Sequence, residues 1–153
     1  MIELTRIINN RPVAVLLPGP SLVKIRGEQL NEFCLASVNH YWIIEKLIGR
    51  RIDVLLTAAV ENKDYLKRYV DFLSRKNNVF LTEDKFVENL PTTYVDKLVL
   101  FKADAPNVIR QIPTEEEPLT FRALPSFAIL LLLLTIAGAK KMVMFGADGG
   151  ELK

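Results

Sequence analysis

The chain is poor in the residues that carry redox and metal chemistry: its 153 residues include one cysteine, Cys34, and one histidine, His40. A lone cysteine cannot form an intrachain disulfide, and its apolar neighbours indicate a reduced, packed thiol rather than a nucleophile. We therefore expect a cytoplasmic location. One histidine and one cysteine among scattered carboxylates also argue against a metal site. Because no G-x-S-x-G elbow is present, we interpret His40 as structural rather than as part of a Ser-His-Asp triad.

Charge of one sign and long apolar segments are scarce too. The formal net charge is only +2, which argues against bulk electrostatic binding of nucleic acid. The N-terminal MIELTRIINN lacks the basic and apolar regions of a signal peptide. The most apolar run, at 127–139, is shorter than the roughly 20 residues that span a bilayer. We expect no transmembrane segment and a core helix at 127–137 that is covered on several sides, so that Leu132→Asp would unfold the protein.

Short apolar runs alternate with helical patterns along the chain. The predicted strands are 13–17, 33–38, 52–59, 78–82 and 142–145, with an ambiguous further strand at 96–103. Helices are predicted at 41–49, at 61–76 and from about residue 126, with a turn and short helix at 21–32 and a long loop at 104–122. Apolar runs without polar alternation indicate a parallel sheet covered on both faces. The sequence therefore predicts a single α/β domain over 1–153, with a doubly wound, mostly parallel sheet in which 13–17 and 142–145 are interior strands.

Ligands bind such sheets at the carboxyl ends of the strands, and the first predicted strand ends in the turn PGPSL. Gly19 permits a close approach of the backbone, while Ser21 adds a hydroxyl that can cap the following helix. A helix start of this kind suits a phosphate, although Pro-Gly-Pro-Ser is also ordinary turn chemistry. The chain has neither the Gly-Lys-Ser/Thr of a P-loop nor a G-x-G-x-x-G fingerprint. The residues alone leave a phosphate-binding turn and a plain structural turn as equal alternatives.

Two other strand ends carry candidate polar residues. Asn39, in SVNHY, has an amide that can donate and accept hydrogen bonds, which suits a nucleobase or a sugar hydroxyl. Asp148, in MFGADGG, lies among glycines. A carboxylate there suits a position that faces a ligand or a metal, but Asp-Gly is also a common turn pair.

Four segments in this order resemble one family. They are the LLPGPSL turn, the ASVNHYW strand end, the Pro-Ser before the apolar helix, and the last strand that ends in Gly-Ala-Asp. The order is similar to that in the bacterial sialyltransferase-like proteins and in the related DUF115-type proteins, some of which are 6-hydroxymethylpterin diphosphokinases. The resemblance covers nearly the whole chain. It implies a Rossmann-like, glycosyltransferase-A-like variant of the α/β fold that binds a nucleotide or nucleotide-sugar.

The resemblance also implies a set of binding residues. In those transferases the G-P-S-L turn wraps the phosphate of a cytidine nucleotide, and the strand-ending asparagine and the serine before the apolar helix add nucleotide contacts. The matching nucleotide-binding positions here are Gly19, Pro20, Ser21, Asn39, Ser126 and Asp148. We further expect Gly19 to leave no room on its ligand side, so that Gly19→Val would block the phosphate while costing the fold little.

The resemblance assigns no catalytic residue. Sialyltransferase-like enzymes carry a catalytic histidine beyond the G-x-D segment, whereas this chain ends at Lys153. We therefore expect a truncated chain that lacks a C-terminal catalytic segment, a minimal relative, or a protein that kept the nucleotide-site scaffold without catalysis.

Three functions remain as expectations. The leading one is a glycosyltransferase-like, sialyltransferase-type protein that binds a nucleotide or nucleotide-sugar and for which no cofactor is implied. The alternative is a diphosphokinase-like enzyme that uses ATP with Mg²⁺ held near Asp148. The third is a non-catalytic binding or assembly module on the same fold. The sequence does not identify the donor nucleotide, the acceptor or the oligomeric state. It is compatible with a homo-oligomer.

Overall fold

The computed structural model of the chain describes residues 1–57, 60, 62–102 and 125–148. Within them the strands are β1 (Val13–Leu16), β2 (Cys34–Val38), β3 (Val54–Thr57), β4 (Val79–Glu83), β5 (Leu98–Phe101) and β6 (Met142–Phe145). The α-helices are α1 (Ile2–Ile8), α2 (Tyr41–Ile48), α3 (Lys63–Leu73) and α4 (Ser126–Ile136). Short 3-10 helices cover Pro20–Lys24, Gly27–Leu30, Asp84–Asn89 and Thr92–Lys97. The predicted loop at 104–122 lies outside the described residues.

The six strands form one parallel sheet in the order β5-β4-β3-β2-β1-β6. The prediction of a parallel α/β sheet is confirmed, and β1 lies between β2 and β6 as an interior strand. The prediction that β6 is also interior is wrong, because among the described strands β6 pairs with β1 alone. Its Met144 is 48% exposed. An apolar run shows that the faces of a strand are apolar, but it does not determine how many neighbours the strand has.

Alternate residues of each strand point to opposite faces of the sheet, and each face has its own core. Val13 and Val15 of β1 pack on the face that α1 and α4 cover. Ala14 and Leu16 pack on the other face, under α2 and α3. The helices therefore cover both faces, as the doubly wound prediction requires.

Helix α4 is less enclosed than its sequence suggested. It packs over β2 and β3, and Leu130 and Leu133 are fully buried. However, Phe127 is 39% exposed and Leu132 is 37% exposed, so the expectation that Leu132 is buried is wrong. The leucine run at 130–134 contains no polar residue, but Thr135, which is exposed and lies three residues after Leu132, marks the helix face that is turned away from the sheet. No helix among the described residues is long and apolar enough to cross a membrane.

Helix α1 was not predicted from the sequence. Leu4, Ile7 and Ile8 are buried against the sheet, and their spacing of three and four residues is that of one helix face. Asn9 ends the helix in the left-handed conformation, with φ of 44°, which asparagine tolerates better than most residues. This single apolar face fills the core beside β4.

Candidate functional site

The candidate site lies where the strand order changes direction. The chain passes from β1 to β2 on one side, whereas β6 pairs with β1 on its other side. In open α/β sheets such a switch point leaves a crevice at the carboxyl ends of the strands, where ligands bind. Here the turn after β1 and the turn after β6 lie at this switch point.

The backbones of these two turns touch. The Gly19 N–H donates a hydrogen bond to the Gly146 carbonyl oxygen at 2.9 Å. A Cβ atom on Gly19 would lie 2.2 Å from that oxygen and 2.5 Å from Oδ1 of Asp148. A Cβ atom on Gly146 would lie 1.9 Å from the Leu17 carbonyl oxygen, and Gly146 also has a φ of 71°. Both glycines are therefore needed for the close crossing of the β1 and β6 turns.

This crossing corrects the expectation for Gly19→Val. The φ of Gly19 is −78°, which any residue can adopt, so conformational freedom does not explain the glycine. Its missing side chain would point at the β6 turn. A valine there would displace the Gly146 backbone and would lower the free energy of unfolding. A loss of ligand binding in Gly19→Val would therefore not show that a phosphate binds at Gly19.

Ser21 and Asp148 join the same two turns through side-chain chemistry. The Ser21 N–H donates to Oδ2 of Asp148 at 2.9 Å, and the Ser21 hydroxyl donates to Oδ1 at 2.6 Å. We call this pair of hydrogen bonds the Ser21–Asp148 clasp. The hydrogen bond from the Ser21 hydroxyl is the main cause that lowers the pKa of Asp148, and the nearby Lys24 charge adds to it. The clasp therefore stabilises an ionised carboxylate at the switch point.

The clasp defines what the turn after β1 offers to a ligand. Two donors of Ser21 already serve Asp148, so the turn presents a carboxylate rather than free N–H groups. A carboxylate has about four acceptor positions, and Ser21 occupies two of them. Asp148 is exposed, so its other positions can accept hydrogen bonds from hydroxyl or amino groups.

Asn39 is positioned by the end of β3. It has a φ of 55°, and its N–H donates to the Leu56 carbonyl oxygen at 2.8 Å. The Thr57 hydroxyl donates to its side-chain oxygen at 3.3 Å and lies 3.3 Å from the Tyr69 hydroxyl. The half-buried amide is thus held by its oxygen. Among the described residues no hydrogen-bond partner of its NH₂ group is found, so this group can donate to a ligand.

The structure joins only part of the predicted set. Gly19 and Ser21 meet Asp148, and Pro20 begins the 3-10 helix beside them. The described hydrogen bonds of Asn39 lead to β3 and to Tyr41 of α2 instead. Ser126 is the first residue of α4. Because α4 leads directly into β6, its N-terminus lies at the carboxyl edge of the sheet, but no described hydrogen bond connects Ser126 to the clasp.

Polar residues at the ends of other strands were missed. The buried Ser37 hydroxyl donates to the Leu16 carbonyl oxygen at 2.8 Å, and the buried Thr82 hydroxyl donates to that of Thr57 at 3.2 Å. These bonds tie neighbouring strand ends together. Glu83 is only 8% exposed, and its carboxylate lies 2.8 Å from the Lys85 ammonium. A polar residue that closes an apolar strand is the signal that could have identified this edge.

Metal binding and relatives give no further assignment. Among residues 1–57, 60, 62–102 and 125–148, no group of three or more His, Cys, Asp or Glu side chains is arranged to hold a metal ion. Comparison with protein-family models, with curated proteins and with solved structures gives no match for this chain.

Proposed function

We propose that the chain is a glycosyltransferase-like protein that binds a nucleotide or nucleotide-sugar at the carboxyl edge of its sheet. The observation that carries the proposal is the Ser21–Asp148 clasp, which holds a carboxylate at the switch point between β1 and β6. A cytoplasmic location, in which Cys34 stays reduced, belongs to the same proposal.

The chemistry of the clasp favours the sugar part of such a ligand. The outward lone pairs of Asp148 suit ribose or hexose hydroxyls, which are hydrogen-bond donors. A phosphate would be repelled by the same charge and is expected on the cationic side of the turn, near Lys24. Asn39 contributes its amide NH₂ group to an acceptor on the base or the sugar.

A diphosphokinase-like function is the second candidate, and the outward carboxylate of Asp148 is the observation that favours it. Mg²⁺ commonly binds through one or two carboxylates together with waters and substrate phosphates. One carboxylate therefore fits Mg²⁺ that arrives on ATP, although it does not fit a site built by the protein alone. In that case Asp148 would hold the metal and position the phosphates.

Calorimetric titration of the wild-type protein separates these functions. Cytidine, uridine, guanosine and adenosine mono-, di- and triphosphates are titrated with Mg²⁺ and again with a chelator. Metal-independent binding, strongest for one pyrimidine nucleotide, supports the transferase-like proposal. Binding of ATP only with Mg²⁺ supports the diphosphokinase. If no nucleotide binds even at millimolar concentration, nucleotide binding is refuted and the non-catalytic assembly module remains.

A further inference from the structure

Three aromatic side chains form a compact cluster beside Asn39. The ring centroids of His40 and Trp42 lie 5.1 Å apart, those of His40 and Tyr65 lie 5.1 Å apart, and those of Trp42 and Tyr65 lie 5.2 Å apart. We call these residues the three-ring cluster. His40 lies two residues after the end of β2, and Tyr65 lies in the first turn of α3, after β3. The cluster is therefore at the same carboxyl edge as the clasp.

The cluster packs against other side chains on one side and is exposed to solvent on the other. The Trp42 ring also contacts Tyr41 and Tyr69, at centroid distances of 5.4 and 6.1 Å. The Arg68 guanidinium lies 4.6 Å from its centroid. Trp42 and Tyr65 are half-buried, whereas His40 is exposed. The inner rings are thus fixed by packing, and the imidazole forms the outer surface.

Helix capping does not account for the exposed imidazole. His40 occupies the N-cap position of α2, but its side chain makes no capping hydrogen bond. A serine, threonine, aspartate or asparagine would stabilise that helix end better. The imidazole instead extends an aromatic surface next to Asn39, the NH₂ group of which has no hydrogen-bond partner in the part of the chain that the structure describes.

We propose that the three-ring cluster is the subsite that stacks the nucleobase of the bound nucleotide, an inference that rests on the proposed function. Aromatic side chains can stack on any nucleobase, because every base has a π-face. The Asn39 NH₂ group donates to an acceptor on the edge of the same base, and Asp148 accepts from the sugar. The Arg68 guanidinium, which lies beside Trp42, adds a favourable cation–π interaction with the stacked rings.

The test uses Trp42, which is the only tryptophan in the chain. Nucleotides are titrated while tryptophan fluorescence and calorimetric heat are recorded on the same samples. We expect fluorescence quenching that follows the calorimetric Kd. Ribose 5-phosphate, which lacks a base, should bind weakly or not at all and should leave Trp42 fluorescence unchanged.

Variants then separate stacking from structure. His40→Ala should weaken nucleotide binding about 5- to 150-fold, the range for loss of one stacking partner, whereas His40→Phe should keep most of the affinity. Tyr94→Ala removes a half-buried ring just before β5, at the opposite edge of the sheet, and should leave the Kd unchanged.

Two results would overturn the inference in distinguishable ways. If calorimetry detects nucleotide binding while Trp42 fluorescence stays constant and His40→Ala binds like wild type, the stacking subsite is wrong and the proposed function stands. If no nucleotide binds the wild-type protein at millimolar concentration, the proposed function and the subsite both fail. Because His40 is exposed, both of its variants are expected to fold, and thermal melts confirm this before binding is compared.

Discussion

The close crossing of the β1 and β6 turns can be tested with three glycine-to-alanine changes. At Gly49 a Cβ atom meets nothing within 4 Å, but φ is 69°, so Gly49→Ala tests the left-handed backbone alone. At Gly19 φ is −78°, so Gly19→Ala tests only the steric contact of a Cβ atom with Gly146 and Asp148. Gly146→Ala combines a φ of 71° with a Cβ atom 1.9 Å from the Leu17 oxygen. The three variants separate backbone strain from steric overlap.

The expected losses of stability follow from these geometries. A left-handed backbone costs alanine about 1–2 kcal/mol, and the lower entropy of the unfolded chain offsets about 0.4–1 kcal/mol of this. Gly49→Ala should therefore lose about 1 kcal/mol. Overpacking costs about 1–3 kcal/mol, and we expect the upper end of that range at Gly19, because its Cβ atom would overlap backbone atoms of Gly146. After the same entropy offset, Gly19→Ala should lose about 2 kcal/mol. Gly146→Ala has both penalties and should lose about 2–4 kcal/mol.

Urea unfolding followed by circular dichroism and by Trp42 fluorescence gives the three free energies, with coincident transitions as the check on two-state behaviour. The predicted order of destabilisation is Gly146→Ala, then Gly19→Ala, then Gly49→Ala. If Gly19→Ala and Gly146→Ala are no less stable than Gly49→Ala, the turns after β1 and β6 do not cross closely in solution. The account of the switch point would then be refuted.

Three further predictions concern single side chains. Burial raises the pKa of the Cys34 thiol to about 12, so a thiol reagent at mildly alkaline pH should label the native protein far more slowly than the urea-unfolded chain; equal rates would contradict its burial. Ser21→Ala should raise the lowered pKa of Asp148 in an NMR carboxyl titration, and an unchanged pKa would argue against the clasp. The stability that the ionised carboxylate contributes is present above the ordinary carboxyl pKa and is lost as pH falls through the pKa of the folded state. Leu132→Asp should be tolerated, because Leu132 is 37% exposed, whereas Leu133→Asp should unfold the chain, because Leu133 is fully buried; similar melting of the two variants would contradict this orientation of α4.

Local patterns predicted the strands well because each strand is a short apolar run. The same patterns singled out Gly19, Ser21 and Asp148, since each follows a strand. They could not show why residue 19 is a glycine, because the turn that it contacts is far away in the sequence. Ser21 and Asp148, which join the same two turns, are 127 positions apart, and only the order of strands in the sheet brings them together. The sequence therefore offered phosphate binding or ordinary turn chemistry as equal reasons for Gly19, and it did not show the contact with the turn after β6.

Helix faces and ring contacts were harder to predict for the same reason. The run at 127–137 carries one polar residue, Thr135, which lies on the helix face of the exposed Leu132; a single threonine is a weak signal for separating Leu132 from the buried Leu133. His40 looked like an isolated structural histidine because its partner Tyr65 lies on a different helix. A contact between two helices depends on how both pack on the sheet, and periodicity within one helix does not report it.

The most direct test of the account is the affinity of Asp148→Asn for the nucleotide that binds the wild-type protein most tightly. We predict that this variant still folds, with a small loss of stability from the weakened clasp, and that it loses a charge-assisted hydrogen bond to the ligand, worth about 1.5–3 kcal/mol, so its calorimetric Kd should rise about 10- to 150-fold. Glu32→Gln, which neutralises an exposed carboxylate just before β2 at the opposite edge of the sheet, should leave the Kd unchanged. Equal affinity of Asp148→Asn and wild type would contradict a ligand site at the switch point between β1 and β6.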